Sequence, residues 1–470
     1  MKLTTLWLFA IGALLACTAA TQAADNARTR RPNLLLIITD QQFSEGMSCR
    51  IGNRYINTPG MDRLAKQGML FTRAYAANPL CTPFRTSLFS GHYPHQTGVQ
   101  TNGRGTGSHK TLPCLGTYFA KAGYETGYFG KWHTPYALKD SSESGFETVH
   151  EKDCLYSTKR IVTFLEAKHD KPFLAVASFM NPHNICEWSR FQKMGSGPLE
   201  VPPVEQRPPL PPNHASPENE TDVMAFMRKS YQAHRLFPVG DYTEDDWRRH
   251  VWGYYRLIER VDAHVVKLLE VLEATGLDKN TVVLFTSDHG DCHGAHRWVQ
   301  KTVFYDESAR IPLILSYPGQ PTRGQTCDHL INTGVDIGPT LLDFAGIPIP
   351  NALPGKSFRP ITEDKTRKDD RDYIVSQNRM VQCVPIDGVS LTPDGRMVRS
   401  ARYKYCLYSE GKQRESLVDM EEDPLETVNR AADPQLREVL LRHRGYLREF
   451  ADKHGDATAK SMLDAVERDM

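Results

Sequence analysis

The sequence predicts an α/β fold: a mostly parallel central sheet flanked by helices, with a smaller C-terminal α+β subdomain. Three observations predict it. Strand-like apolar runs alternate with helical patterns through the first three-quarters of the 470 residues, the order that builds layered α/β domains. The first such run, Asn33 to Thr39, is apolar at nearly every position rather than at alternate ones, as a strand covered on both faces requires. After Pro354 the runs shorten, and a helical pattern closes the chain. The expected division is a main domain over 31–354 and a subdomain over 355–470.

Residues 1–24 read as a targeting segment outside the fold. Lys2 gives the positive start, and Leu6 to Ala16 is an apolar run too short for a membrane span. Leu14-Leu15-Ala16-Cys17 resembles a bacterial lipobox, with Cys17 as the lipidated residue; Thr21-Gln22-Ala23 offers instead a signal-peptidase cut before Ala24. The chain is expected to be exported: periplasmic, lipid-anchored at the cell envelope, or secreted, without a transmembrane span. Beyond the first strand, Thr58 and Pro59 read as the cap and first position of a helix that Gly68 stops. Leu112 to Lys121 predicts a helix, Glu125 to Gly130 a strand, Ile161 to Ala167 a helix and Phe173 to Phe179 a strand. The stretch 189–238 breaks the alternation with Val201-Pro202-Pro203 and Arg207-Pro208-Pro209-Leu210-Pro211-Pro212. Because the sheet pattern resumes after it, this insert is expected to be a lid over the site. Thr243 caps a long amphipathic helix to about Ala274, with strands following at Val282 to Thr286 and Pro312 to Ser316. Further on, Tyr373 to Ser376, Met397 to Ser400 and Tyr403 to Leu407 read as strands, and Pro434 onward as a helix.

Basic and acidic residues nearly balance, 57 against 56, with no basic stripe, so neither nucleic acid nor an anionic membrane surface is an expected partner. The ten cysteines form no small disulfide framework and no Cys-x-x-Cys pair for zinc. Most read as small buried hydrophobes. Cys81 does not.

The residues just beyond each strand carry the chemistry. The first strand ends in Thr39-Asp40-Gln41-Gln42, the one from Glu125 in Gly130-Lys131-Trp132-His133, the one from Phe173 runs into Asn181-Pro182-His183-Asn184, and the one from Val282 ends in Ser287-Asp288-His289-Gly290. Ligands of open α/β sheets bind beyond the carboxyl ends of the strands. Four separate runs thus deliver carboxylates, a lysine and histidines to one rim.

The most specific motif is Cys81-Thr82-Pro83-Phe84-Arg85, leading into Thr86-Ser87-Leu88-Phe89-Ser90-Gly91. Here the sequence resembles the type I sulfatases, members of the alkaline phosphatase-like superfamily, whose signature is Cys-x-Pro-x-Arg before a Gly-terminated helix. The likeness extends over Gly91 to Gly98, Gln300 to Pro312, Val335 to Gly346, Tyr403 to Tyr405 and Leu417 to Pro424. It implies the alkaline phosphatase-like fold and a sulfuric ester hydrolase whose Cys81 is oxidised to formylglycine, the hydrate being the nucleophile. A formylglycine-generating or anaerobic sulfatase-maturing enzyme would then be a partner. Pro83 suits a first helical turn, so residue 81 would sit at a helix N-terminus that favours an anionic sulfate.

The resemblance also implies a metal site of Asp40, Gln41, Asp288 and His289, completed by residue 81. Relatives often have Asp-Asp in the first pair and Asp-Asn in the second, so Gln41 and His289 depart from the pattern. Calcium is the expected ion, with magnesium or manganese as alternatives. Arg85 would hold the nucleophile's oxygen, and Lys131 and Lys301 the sulfate oxygens. His133, expected on the same side of an extended strand end as Lys131, would serve sulfate release, and His183 would protonate the leaving alcohol. His95, Asn102, Arg104, Glu187, Trp188, Arg190, His293, His296 and Arg297 flank these motifs and suit a sugar ring, so a sulfated polysaccharide or glycan is the expected substrate. Two other classes compete with this reading: a phosphate or phosphonate monoester hydrolase of the same superfamily, and a non-catalytic glycan-binding relative. The intact Cys81, Pro83 and Arg85 speak against the first, since only the formylglycine route needs that signal. The full set of acidic and basic residues speaks against the second.

Overall fold

A computed structural model describes residues 31–468, apart from residues 104, 238, 365, 369, 370 and 382. The targeting segment, its lipobox at Cys17 and the candidate Arg104 lie outside the described residues. The main sheet is built from β1 (Asn33–Asp40), β2 (Met69–Phe71), β4 (Glu125–Gly130), β5 (Thr148–His150), β6 (Phe173–Pro182), β7 (Thr281–Ser287), β8 (Leu313–Ser316) and β9 (Gln325–Cys327), while β3 (Ala74–Tyr75) pairs with β10 (Ile331–Asn332). Its order is β5-β4-β6-β1-β7-β8-β2-β9. β4, β5, β6, β1 and β7 run parallel; β8 is reversed against both of its neighbours.

The continuous apolar run of β1 has its reason here. β1 lies between β6 and β7, with Leu34 opposite Leu174 and Val282. Leu34, Leu36 and Ile38 enter one core with Phe84 and Leu88, whereas Leu35 and Ile37 enter another with Leu257, Val261 and Val265. Successive side chains point to opposite faces, and each face is roofed by helices. They are α1 (Pro59–Gln67), α2 (Cys81–Ser90), α3 (Leu115–Lys121), α4 (Cys154–Glu166), α6 (Glu244–Thr275) and α7 (Thr333–Phe344), while α5 (Asp222–Ala233) packs in a separate cluster. α6 carries a capping box, Thr243 with Asp246, and ends on Gly276 in the left-handed region, which a residue without Cβ adopts at no steric cost.

Several boundaries differ from expectation. α3 starts at Leu115 rather than Leu112, because Pro113 holds Leu112 extended. α4 starts seven residues before Ile161, at an Asp153 cap whose side chain accepts from the Tyr156 amide. The insert 189–238 is not irregular throughout. It holds α5, capped by Thr221, whose Val223, Met224, Met227 and Tyr231 pack with Trp298 and Phe304.

The C-terminal part is an antiparallel sheet, β11 (Tyr373–Arg379), β12 (Asp394–Ser400), β13 (Tyr403–Tyr408) and β14 (Glu415–Asp419), with α8 (Arg437–His454) and α9 (Ala457–Arg468). β14 was not expected, and the single terminal helix is two, divided at Gly455 in the left-handed region. Among the described residues no helix is long and apolar enough to cross a membrane.

Arg396 on β12 is fully buried and donates to Asp456 through Nε (2.6 Å) and Nη2 (2.9 Å); Asp456 also accepts from Gln377 Nε2 and the Ala459 amide. Asp456→Ala leaves a buried guanidinium without its counter-charge, so it should cost about 3–5 kcal/mol of stability. Chemical denaturation checks this; a loss below about 1 kcal/mol, the level of a surface pair, would contradict it.

Candidate active site

β4, β6, β1 and β7 are neighbours and parallel, so their carboxyl ends open on one edge of the sheet. Lys131, His183, Asp40 and Asp288 stand at those four ends. Cys81 is the first residue of α2, after an extended Leu80, and α2 is buried along its whole length. Pro83 falls in the first turn, where its missing N–H removes no helical bond. The Thr82 amide donates to Asn102 Oδ1 at 3.1 Å.

Arg85 lies one helical turn beyond Cys81, and helical side chains lean toward the N-terminus. Its fully buried guanidinium donates from Nε to Asp288 Oδ2 (2.8 Å), from Nη1 to Ser178 Oγ (2.8 Å) and the Lys131 carbonyl (2.9 Å), and from Nη2 to Asp40 Oδ2 (3.2 Å). The same Asp40 oxygen pairs with Lys131 Nζ. Burial works to raise the Asp40 carboxyl, but Lys131 and Arg85 hold it well below the usual carboxylate range. Asp40 Oδ1 is buried with no hydrogen-bond partner.

Asp288 Oδ1 accepts from the amides of Gln41 (3.1 Å) and His289 (2.9 Å). His289 Nδ1 lies 2.9 Å from the Gly290 carbonyl, to which it donates, and its Nε2 faces Cys81 Sγ at 3.1 Å. Burial works to lower the ring's pKa, but Asp288 and Cys81 raise it, and a cation would take the Nε2 lone pair in place of a proton. Donor atoms of Asp40, Cys81, Asp288 and His289 all lie within 4.8 Å of one another, and all four residues are buried. A buried anionic oxygen without a partner is costly. Two carboxylates, an imidazole lone pair and that orphaned oxygen fit a divalent cation.

Gln41 takes partners other than those expected. Its Oε1 accepts from Lys301 Nζ at 2.5 Å, and its Nε2 donates to Asp291 Oδ2 at 2.5 Å. Both ends of the amide are therefore engaged within the protein. Arg85 likewise directs its donors at the two carboxylates, Ser178 and a carbonyl rather than at residue 81.

Cys81 sits amid cations. Burial would raise its thiol; Lys131 and Lys301 lead the charges that reverse this and hold it well below the ordinary thiol range, and His133 and His183 are both within hydrogen-bonding reach. Lys301 is buried, and its pKa stands above the usual value because negative neighbours outweigh burial. Burial, with Lys301, pushes His183 down. β4 stops at Gly130, and His133 has φ 51°, so it reaches the site through a turn rather than along an extended strand. Gln41 (φ 73°), Gln300 (φ 70°) and Thr302 (φ 76°) are also left-handed. Such conformations cost about 1–3 kcal/mol each outside glycine and gather at functional sites.

The flanking residues divide. Asn102 and Arg297 are exposed, and Arg190 is half-buried with Nε donating to the Leu236 carbonyl. Trp188 is no sugar platform: it is buried, its Nε1 donates to the Arg249 carbonyl, and the Arg249 guanidinium covers the ring at 3.7 Å. His296 is buried, stacked on Tyr305 at 3.9 Å and held by Asn213. His293 is buried beside Phe43. His95 joins the C-terminal part, with Nε2 at the His454 carbonyl and Nδ1 at Gln377 Nε2. Glu187 lies in a short helix and accepts from Asn184. Sequence reasoning missed Asp291, Ser178 and Tyr254, whose hydroxyl donates to the Gln41 carbonyl at 2.6 Å. Asp291 was findable, three residues beyond Asp288 in the same strand-end loop. Ser178 and Tyr254 lie inside apolar patterns and carry no such signal.

Comparison with known proteins shows the family. The Sulfatase family model matches residues 32–347, well over half of the chain, and the model of the N-sulphoglucosamine sulphohydrolase C-terminal region matches 294–453. The chain is 31% identical to a Delta 4,5-hexuronate-2-O-sulfatase of Bacteroides thetaiotaomicron, covering 96% of this chain and 94% of that protein. It is 30% identical to an ulvan-active sulfatase of Formosa agariphila, over 86% and 78%. The solved structure of a 2-O GAG sulfatase superposes with TM-score 0.80 at 29% identity, covering 92% and 94%. A phosphonate monoester hydrolase of Agrobacterium radiobacter shares the fold, with TM-score 0.74 at 22% identity over 90% and 96%. The chain belongs to the sulfatase family of the alkaline phosphatase-like superfamily and is a sulfuric ester hydrolase.

Proposed function

We propose that this enzyme removes sulfate from a sulfated polysaccharide or glycan outside the cytoplasm, using a formylglycine made from Cys81 by a sulfatase-maturing partner. The observation that carries the reading is the meeting of Cys81 with two lysines, three histidines and two carboxylates at the head of a buried helix. The glycan class is supported by the relatives, which include the 2-O-sulfatase, the ulvan-active sulfatase and an N-acetylglucosamine-6-O-sulfatase of Bacteroides thetaiotaomicron. An export leader would bring the enzyme to such a substrate. Asn102, Arg104, Arg190 and Arg297 remain the candidates for sugar contact.

Asp40, Asp288, His289 and residue 81 would hold a divalent cation (calcium, or magnesium or manganese), which supplies Lewis-acid stabilisation of negative charge. The formylglycine hydrate supplies the oxygen that attacks sulfur. The remaining work belongs to the chain's own side chains. Lys131 and Lys301 place ammonium groups on the sulfate oxygens, where charge accumulates in the transition state, in a site too dry to screen them. The positive end of the α2 dipole favours the same anion. His183 gives a proton to the leaving oxygen; burial and Lys301 lower its pKa, and a bound sulfate that offsets the lysine charge lets the ring hold the proton it is to give. His133, at the exposed edge, exchanges the proton of residue 81 during sulfate release.

Trypsin should release Ala74 to Arg85 with a single cysteine position. Mass spectrometry of active enzyme from a maturing host should find an aldehyde or its hydrate there; an alkylatable thiol alone would refute the formylglycine reading. His183→Ala should lose about 10²–10⁴-fold in kcat/KM on sugar sulfates but under about tenfold on an activated aryl sulfate, whose phenolate departs without a proton. Equal losses across esters graded by leaving-group pKa would take the acid role from His183.

A further inference from the structure

We infer that Asp291 is a positioning residue that aims the Lys301 ammonium, acting through the side chain of Gln41 and through the backbone before Lys301. The inference rests on the reading of Lys301 as a sulfate-binding group.

Asp291 is fully buried, yet its carboxylate touches no cation among the described residues; it accepts three N–H donors instead. Oδ2 takes Gln41 Nε2 at 2.5 Å, while Oδ1 takes the amides of His293 (2.6 Å) and Gln300 (3.2 Å). An amide side chain can be turned either way, and a carboxylate can only accept. Asp291 therefore fixes the Gln41 amide with its NH2 inward and its oxygen outward. That oxygen meets Lys301 Nζ at 2.5 Å. The reverse orientation would set NH2 against NH3⁺, two donors face to face. The second route is shorter. Gln300 precedes Lys301, is left-handed, and is held at both ends of its peptide unit by the 291–292 segment: its amide by Asp291 and its carbonyl by the Cys292 amide at 2.8 Å.

Gln41 itself is immobilised. Its amide N–H donates to Asp288 Oδ1, its carbonyl accepts from Tyr254, and its backbone has φ 73°. Lys301 thus keeps one of its three N–H bonds for Gln41 and two for a ligand. A flexible four-carbon stem becomes a directed donor because both its root and its tip are tied. A displacement of about 1 Å at a reacting group can cost about 10²-fold.

The test is a swap of acceptor and donor. Asp291→Asn has the same shape but can present NH2 to Gln41, so kcat should fall about 10–100-fold with a smaller change in KM. Adding Gln41→Glu restores the pattern. The carboxylate introduced at position 41 accepts from Lys301 and from the amide introduced at position 291. The oxygen of that new amide keeps the two backbone N–H groups, and the net charge is that of the natural pair. The double variant should recover to within about tenfold of wild type, with thermal unfolding and bound cation measured for every variant. Wild-type kcat in Asp291→Asn overturns the inference. So does a double variant no better than the worse single, or a loss of activity matched by an equal loss of cation. Lys301→Ala separates the two levels: if it retains full activity, the sulfate-binding reading of Lys301 fails, whereas an inactive Lys301→Ala beside a fully active Asp291→Asn removes only the role of Asp291.

Discussion

The guanidinium of Arg85 is the interaction on which the rest of the site depends. One planar group, fully buried, reaches Asp40 at the end of β1, Ser178 on β6, the Lys131 carbonyl beyond β4 and Asp288 beyond β7. It also hangs from α2, one turn below Cys81. Four strands and the helix that begins at Cys81 are thereby fixed to a single rigid fork, which suits arginine and not lysine. Two carboxylates pressed together without it would repel, and one would take up a proton. With it, a positive charge lies between the two carboxylates.

The cost of that arrangement explains other features. Buried charges need partners at good geometry, and the charged groups here have them: Lys131 on Asp40, Lys301 on Gln41, and Asp291 on Gln41 in turn. Among the oxygens of the two paired carboxylates, Asp40 Oδ1 is the exception. To bring these groups together the backbone accepts left-handed turns at Gln41, His133, Gln300 and Thr302. The sheet and α6 hold those turns, since β1 and β7 share a continuous register and Tyr254 of α6 bonds to the strand-end loop.

Much of this was legible beforehand, for a local reason. A parallel strand buried on both faces must be apolar throughout, and its carboxyl end is where polar residues reappear; Asp40, Lys131, His183 and Asp288 were visible by that change alone. Cys81-Thr82-Pro83 announced a helix start because proline suits its first turn. What stayed hidden depended on distant chain. Trp188 looked like a sugar platform until Arg249, on another helix, covered it. His95 looked free until α8 brought the His454 carbonyl to it. Gln41 was expected at a metal because the Asp40-Gln41 pair resembles the family's first metal pair, but its contacts with Lys301 and Asp291, some 250 residues away, could not be read from the sequence. The C-terminal strand β14 was missed because its five residues are only half apolar.

The paired carboxylates held by Arg85 are read as a cation site completed by His289 and residue 81. Calorimetric titration of calcium, and separately of manganese, into chelator-stripped enzyme tests this most directly, with Asp288→Asn titrated beside the wild type. The expected result is one cation per wild-type chain for at least one of the two ions, with a rise in Tm on binding, and no binding at this site by the variant. A wild-type enzyme that is fully active after stripping and takes up neither ion, or a variant that binds as wild type does, would contradict it.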